Sequence, residues 1–180
     1  MARIQPINIS DAPSFIKIAF ENHIKEYQAK ITNMKATLGR STIAFHTYMQ
    51  WYPLYEEVKK ITGERLAYLF AYAVSFAADC PLCTTFFRKI IIDAGEQPGN
   101  LNVNQQEQHL ITFGSAIAAN KGVVKDEIFN SVRSFYSDEQ LVLLIAFAGQ
   151  MIATNIFNNV IGTDIDDYLI PYLPGNSPDG

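Results

Sequence analysis

The sequence predicts an all-α, single-domain helical bundle, and three observations carry the prediction. Helix start and stop signals recur along the chain, with capping residues ahead of apolar runs and glycines behind them. No stretch alternates with period two for long enough to need a strand. The composition is globular, with 48 % apolar and 18 % charged residues. A chain of 180 residues is long enough for one well-packed core and short for two.

Taken in order, Asp11 is expected to cap a first helix with Pro13 in its first turn. Phe15, Ile18, Ala19, Ile24 and Tyr27 then follow at helical spacing. Gly39 ends a short segment. From Ser41 a helix carries Ile43, Ala44, Tyr48, Trp51 and Tyr52, is interrupted or restarted at Pro53, and stops at Gly63. The next helix runs from about Glu64 to Ala78. Pro81 suits the first helical position after a Cys80 cap, and Gly95 ends that helix. Residues 95–103 hold Gly, Pro and Asn and read as the longest interior loop. Asn104 with Glu107 opens a helix reaching Asn120, with Gly122 as its stop. A short helix follows over about 125–133. Ser137 with Gln140 forms a capping box for a last long helix to about Ile161. The proline- and glycine-rich tail, 171–180, is expected to be irregular.

The balance of 14 basic against 18 acidic residues, a net charge of −4, argues against a nucleic-acid partner. Met1 to Ser10 lacks the apolar stretch of a signal peptide. The longest apolar run, Leu141 to Ala148, falls short of the roughly 18–20 residues a membrane span needs. A cytoplasmic protein without a membrane segment is expected.

The only cysteines are Cys80 and Cys83, in Cys-Pro-Leu-Cys. They follow the nearly continuous apolar segment Leu66 to Ala78 and open the helix Thr84 to Ala94. Unpaired N–H groups and the helix dipole favour an anion there, which for cysteine is the thiolate. Four readings compete: a thiol–disulfide couple, half of a zinc site, four thiolates pooled between two chains, or two ordinary buried cysteines. Zinc within one chain lacks two further ligands, because there is no second CxxC and His23, His46 and His109 are scattered. No metal or other cofactor is therefore expected.

The segment Glu64 to Gly95 resembles the core of the carboxymuconolactone decarboxylase / alkylhydroperoxidase D-like family. Phe135 to Leu141 through Asn155, Asn158 and Asp164 is similar to that family's closing helix, and Ile31 to Tyr48 to its lead-in. The resemblance implies an all-α alkylhydroperoxidase D-like bundle that forms homo-oligomers. It also implies a dithiol that reduces a small peroxide or disulfide and is recycled by a dithiol protein or small thiol. Redox-active members read Glu-x11-Cys-x2-Cys-x3-His, the glutamate and histidine relaying protons. Here the cysteines match Cys80 and Cys83, the glutamate position falls on Tyr68 and the histidine position on Phe87. A phenylalanine moves no proton, and a tyrosine is a poor base at neutral pH. Glu64, one turn before Tyr68, and Tyr72, one turn after, are the substitutes at hand. Glu64 also reads as a first-turn acid favouring the helix dipole. Arg88 adjoins Phe87, whereas Asp79 would raise a neighbouring thiol's pKa. The aromatic series Tyr68, Phe70, Tyr72 and Phe76 reads as core or oligomer interface. The alternative function is a catalytically lapsed member acting as an oligomeric binding or scaffold protein.

Overall fold

A computed structural model describes residues 1–175. Among them nine α-helices are formed and no strand: α1 (Ser14–Tyr27), α2 (Asn33–Leu38), α3 (Thr42–Met49), α4 (Trp51–Thr62), α5 (Glu64–Ala77), α6 (Pro81–Asp93), α7 (Gln105–Ala119), α8 (Asp126–Arg133) and α9 (Asp138–Ile161). Two 3₁₀ turns, Ile9–Asp11 and Asp167–Tyr172, flank the set.

The capping chemistry sets most boundaries. Asn104 with Glu107 and Ser137 with Gln140 form complete capping boxes at α7 and α9. Gly63, Gly95 and Gly122 sit at positive φ where helices stop. Three expectations are corrected. Asp11 does not cap α1 but belongs to the preceding 3₁₀ turn, because Pro13 holds Ala12 extended and the helix can begin only at Ser14. The break near Pro53 lies at Gln50: proline has no N–H for the Met49 carbonyl four residues back, so α3 ends at Met49. The tail is ordered as 3₁₀ through Pro171 and Tyr172, where the Arg88 Nε–H donates to the Tyr172 carbonyl at 3.0 Å. The rest of the expected irregular tail, 176–180, lies outside the described residues.

Helix α5 is the central element, buried along nearly its whole length and packed against α4, α6, α7 and α9. Phe70, Val74, Leu110, Phe113, Leu144 and Phe147 form the heart of the main core. A second, smaller core joins α1 to α2 and α3 through Ile16, Phe20, Leu38, Phe45 and Met49. Helix α9 is long and apolar enough, by length and composition alone, to cross a membrane, which the eight-residue run in the sequence did not suggest. Its packing gives those residues another use: Leu144, Phe147, Ala148 and Met151 fill the main core, and the buried Asn155 and Asn158 follow on the same helix.

Candidate active site

The turn between α5 and α6 brings the two cysteines together. Asp79 takes a left-handed conformation (φ 51°), reversing the chain so that Cys80 becomes the cap of α6 with Pro81 behind it. Cys80 and Cys83 are free, buried thiols whose Sγ atoms lie 2.6 Å apart. That is closer than two thiols in ordinary contact and longer than the roughly 2.05 Å of a disulfide bond. The Cys83 backbone N–H donates to Cys80 Sγ at 3.4 Å, and the Asn158 Nδ2–H reaches Cys83 Sγ from α9 at 3.2 Å.

These contacts split the pair electrostatically. The Cys83 thiol, the helix N–H groups and Asn158 hold the Cys80 thiol below its ordinary pKa, against the effect of burial. The hydrogen bond to Cys80, burial and the Cys80 charge all push the Cys83 thiol up. Of the two, Cys80 is therefore the thiol that ionises more readily and Cys83 the one that holds its proton.

Cys83 opens onto a cavity of about 110 Å³ walled mainly by Trp51, Phe86, Phe87, Met151 and Leu169. The Trp51 Nε1–H donates to Met151 Sδ at 2.8 Å, which fixes one wall. Polar side chains also line it: Asn158, whose Oδ1 is buried without a partner, with Lys35, Tyr52 and Asp166 and the hydroxyl-bearing Thr32, Tyr48, Thr154 and Tyr168. Thr32, Lys35, Trp51, Tyr52, Phe86 and Tyr168 also line a wider, more open vestibule, so they form the neck between the two spaces.

Phe87, at the family's histidine position, is buried and lines the cavity. Neither Tyr68 nor Glu64 does. Tyr68 donates from its hydroxyl to Glu96 Oε1 at 2.9 Å, and Glu96 is paired with Arg65 at 2.6 Å. Burial and that carboxylate push Tyr68 up to about 12. Glu64 is exposed in the first turn of α5. The structure thus gathers Cys80 and Cys83 and leaves Tyr68 and Glu64 outside their cavity. Arg88 clamps Tyr172, and the aromatic series divides, with Tyr68 and Phe70 in the core and Phe76 exposed. Among the described residues no three His, Cys, Asp or Glu side chains converge as a metal site would require.

Two residues of the site carry little signal in the sequence. Asn158 is recognisable there only as an asparagine near the end of the closing helix; nothing local encodes its burial beside a thiol. Lys35 sits in the unremarkable run Met34-Lys35-Ala36 and is nonetheless buried. Its Nζ donates to the Lys30 carbonyl and the Tyr52 hydroxyl, each at 2.7 Å. Removal from water brings it down to about 8, partly offset by the Asp166 charge.

No protein-family profile and no curated protein matches the sequence. Solved structures do match its fold. The debrominase Bmp8 superposes with a TM-score of 0.77 at 18 % identity, covering 96 % of both chains. A form of Bmp8 in complex with 2,3,4-tribromopyrrole gives 0.78 at 18 % identity, over 94 % of this chain and 95 % of that one. An uncharacterized peroxidase-related protein from Ralstonia eutropha JMP134, described as an alkylhydroperoxidase AhpD core, gives 0.69 at 15 % identity over 94 % and 95 %. A peroxidase-related protein from Silicibacter sp. TM1040 gives 0.68 at 10 % identity over 93 % and 94 %. Similarity over nearly whole chains to these proteins makes the architecture plain: the chain has the alkylhydroperoxidase D-like fold.

Proposed function

We propose that the chain is a thiol-dependent reductase in which Cys80 and Cys83 cycle between dithiol and disulfide while reducing a small, apolar peroxide or disulfide. The observation that carries this reading is the pair itself: two free thiols in near contact at a helix N-terminus, one of them opening onto an aromatic cavity. For a hydroperoxide, Cys83 passes its proton to the Cys80 thiolate and attacks the terminal oxygen. The O–O bond breaks, giving a Cys83 sulfenic acid and an alkoxide that takes up a proton. Cys80 then attacks the Cys83 sulfur, water leaves, and the disulfide forms. A dithiol protein or small thiol returns the pair to the reduced state.

A second reading uses the same couple on a halogenated ring, favoured by the walls of Trp51, Tyr52, Phe86 and Phe87 and by the fold shared with a debrominase. The sulfur takes the halogen, the ring carbanion takes a proton, and the second cysteine displaces halide, so the two thiols become disulfide, arene and hydrogen halide.

Self-association belongs to the same proposal, with a second copy as partner. On α9 the exposed Val142, Ile145, Ile156 and Val160 form one stripe with Gly149 near its middle. Two antiparallel copies would set Val142 and Ile145 of one against Ile156 and Val160 of the other, as a two-fold contact requires.

The test is turnover of tert-butyl hydroperoxide, and bromide release from 2,3,4-tribromopyrrole, with dithiothreitol as reductant. Native protein should turn over at least one of them, and Cys80→Ser and Cys83→Ser neither. A native chain inert toward both, with thiols that never oxidise, would favour the lapsed scaffold.

A further inference from the structure

Reduction of a hydroperoxide to alcohol and water consumes two electrons and two protons. The cysteine pair supplies the two electrons, and because the sulfur that attacks must be a thiolate, the pair enters the reaction with only one proton. The second must come from elsewhere, and the positions that relay it in the resembled family hold Tyr68, turned toward Glu96, and Phe87.

We propose that Lys35 is the proton donor of this site, delivering the second proton from its ammonium group to the oxygen that leaves the substrate; the assignment rests on the dithiol reading above. Four features of its placement support it. Lys35 is more than nine-tenths buried yet lines the cavity onto which Cys83 opens. Its neighbour Met34 lies against Asn158 Nδ2 (3.5 Å), which itself reaches Cys83 Sγ, so α2 is one side chain removed from the reacting sulfur. Two of its three ammonium hydrogens are used by the Lys30 carbonyl and Tyr52, leaving one for a guest. Among the described residues no carboxylate forms a salt bridge with it, and the Asp166 charge only partly offsets the effect of burial.

The groups facing Lys35 come from every surrounding segment. Tyr52 from α4 accepts its hydrogen bond and lies under it, ring centroid 5.1 Å away. His23 from α1, 4.8 Å from the Tyr52 ring, is uncharged above about pH 4. Asp166, after α9, favours the charged lysine. Lys30 contributes its carbonyl, while its own ammonium lies over Tyr168, 5.4 Å from the ring centroid. A lysine brought to about 8 stays charged at neutral pH while giving up its proton far more readily than one in water. Atoms and charge balance. One thiol, one thiolate, one ammonium and one hydroperoxide become a disulfide, an alcohol, water and a neutral amine, which regains its proton from solvent.

The experiment compares single-turnover oxidation of the dithiol by two small neutral reagents. tert-Butyl hydroperoxide expels an alkoxide, which needs a proton; methyl methanethiosulfonate expels a sulfinate, which does not. The ratio of the two rates cancels changes in thiolate content. In Lys35→Met the ratio should fall ~10²-fold and in Lys35→Arg, which keeps the charge but holds its proton, at least ~10-fold. In the native protein, which needs no substitution to test, the ratio should be level up to pH about 8 and fall above it as Lys35 deprotonates. A ratio unchanged in both variants and level through alkaline pH overturns the assignment while leaving the dithiol reading intact. Native thiols that resist both reagents overturn the dithiol reading, and Lys35's role with it.

Discussion

His23 is buried on α1 among Tyr27, Phe45 and Tyr52, with neither ring nitrogen hydrogen-bonded. Burial, with the Lys35 charge adding to it, pushes its pKa down to about 4. The folded state therefore refuses a proton that the unfolded chain takes up below about 6.5, so stability falls as pH drops from about 6.5 to about 4. The loss is on the order of 3 kcal/mol. His23→Phe keeps the ring packing and should flatten that acid limb in denaturant titrations at successive pH values; an unchanged limb would place the acid sensitivity elsewhere. At the cysteines the same logic gives a second prediction. The Cys83 hydrogen bond is the largest influence lowering Cys80, so Cys83→Ala should move Cys80 alkylation by iodoacetamide to higher pH. Cys80, Pro81 and Cys83 were legible in the sequence because cap, proline and spacing act locally. Asn158 and Lys35 were not, because their roles depend on α2, α6 and α9 meeting in space, which no local pattern encodes.

Helix α7 approaches α5 closely at Gly114, where an added Cβ would lie 2.7 Å from the Phe70 ring and 3.1 Å from Val74. Both neighbours are fully buried, so neither can retreat without disturbing the main core. Gly114→Ala should cost about 1–3 kcal/mol in chemical denaturation despite alanine's better helix propensity. A stabilised variant would show that the α5–α7 contact yields more readily than its packing implies. The helices themselves were largely readable, since Asn104, Ser137, Pro81 and the terminal glycines act within one turn. The misplaced boundaries came from the longer reach of proline. Pro13 holds the residue before it extended, so α1 starts just after the proline, whereas Pro53 cannot bond the carbonyl four residues back, so that break falls upstream of it. The 3₁₀ turn Asp167–Tyr172 had no local signal; it is held from outside, by Leu169 in the interior and by Arg88 and Asp93 of α6 gripping Tyr172.

For the molecule as a whole, the stripe on α9 and the cavity behind Cys83 make separable claims. If two copies meet through α9, Ile156→Glu should yield a monomer by sedimentation with its helical circular dichroism intact, because Ile156 is 57 % exposed in the single chain. A native chain already monomeric at micromolar concentration would exclude that interface. The resemblance read from the cysteine segment and the closing helix extends to the whole architecture, whereas the family's proton relay does not extend to Tyr68 and Phe87. The central claim is that Cys80 and Cys83 form one reversible redox couple, and the most direct measurement is the thiol count with intact mass, before and after one equivalent of tert-butyl hydroperoxide. The account predicts that both thiols disappear together, with loss of two hydrogens and no added oxygen, and that dithiothreitol restores them. Two thiols still titratable in the unfolded protein after exposure, or a mass that gains oxygen while the cysteines stay unlinked, would contradict it.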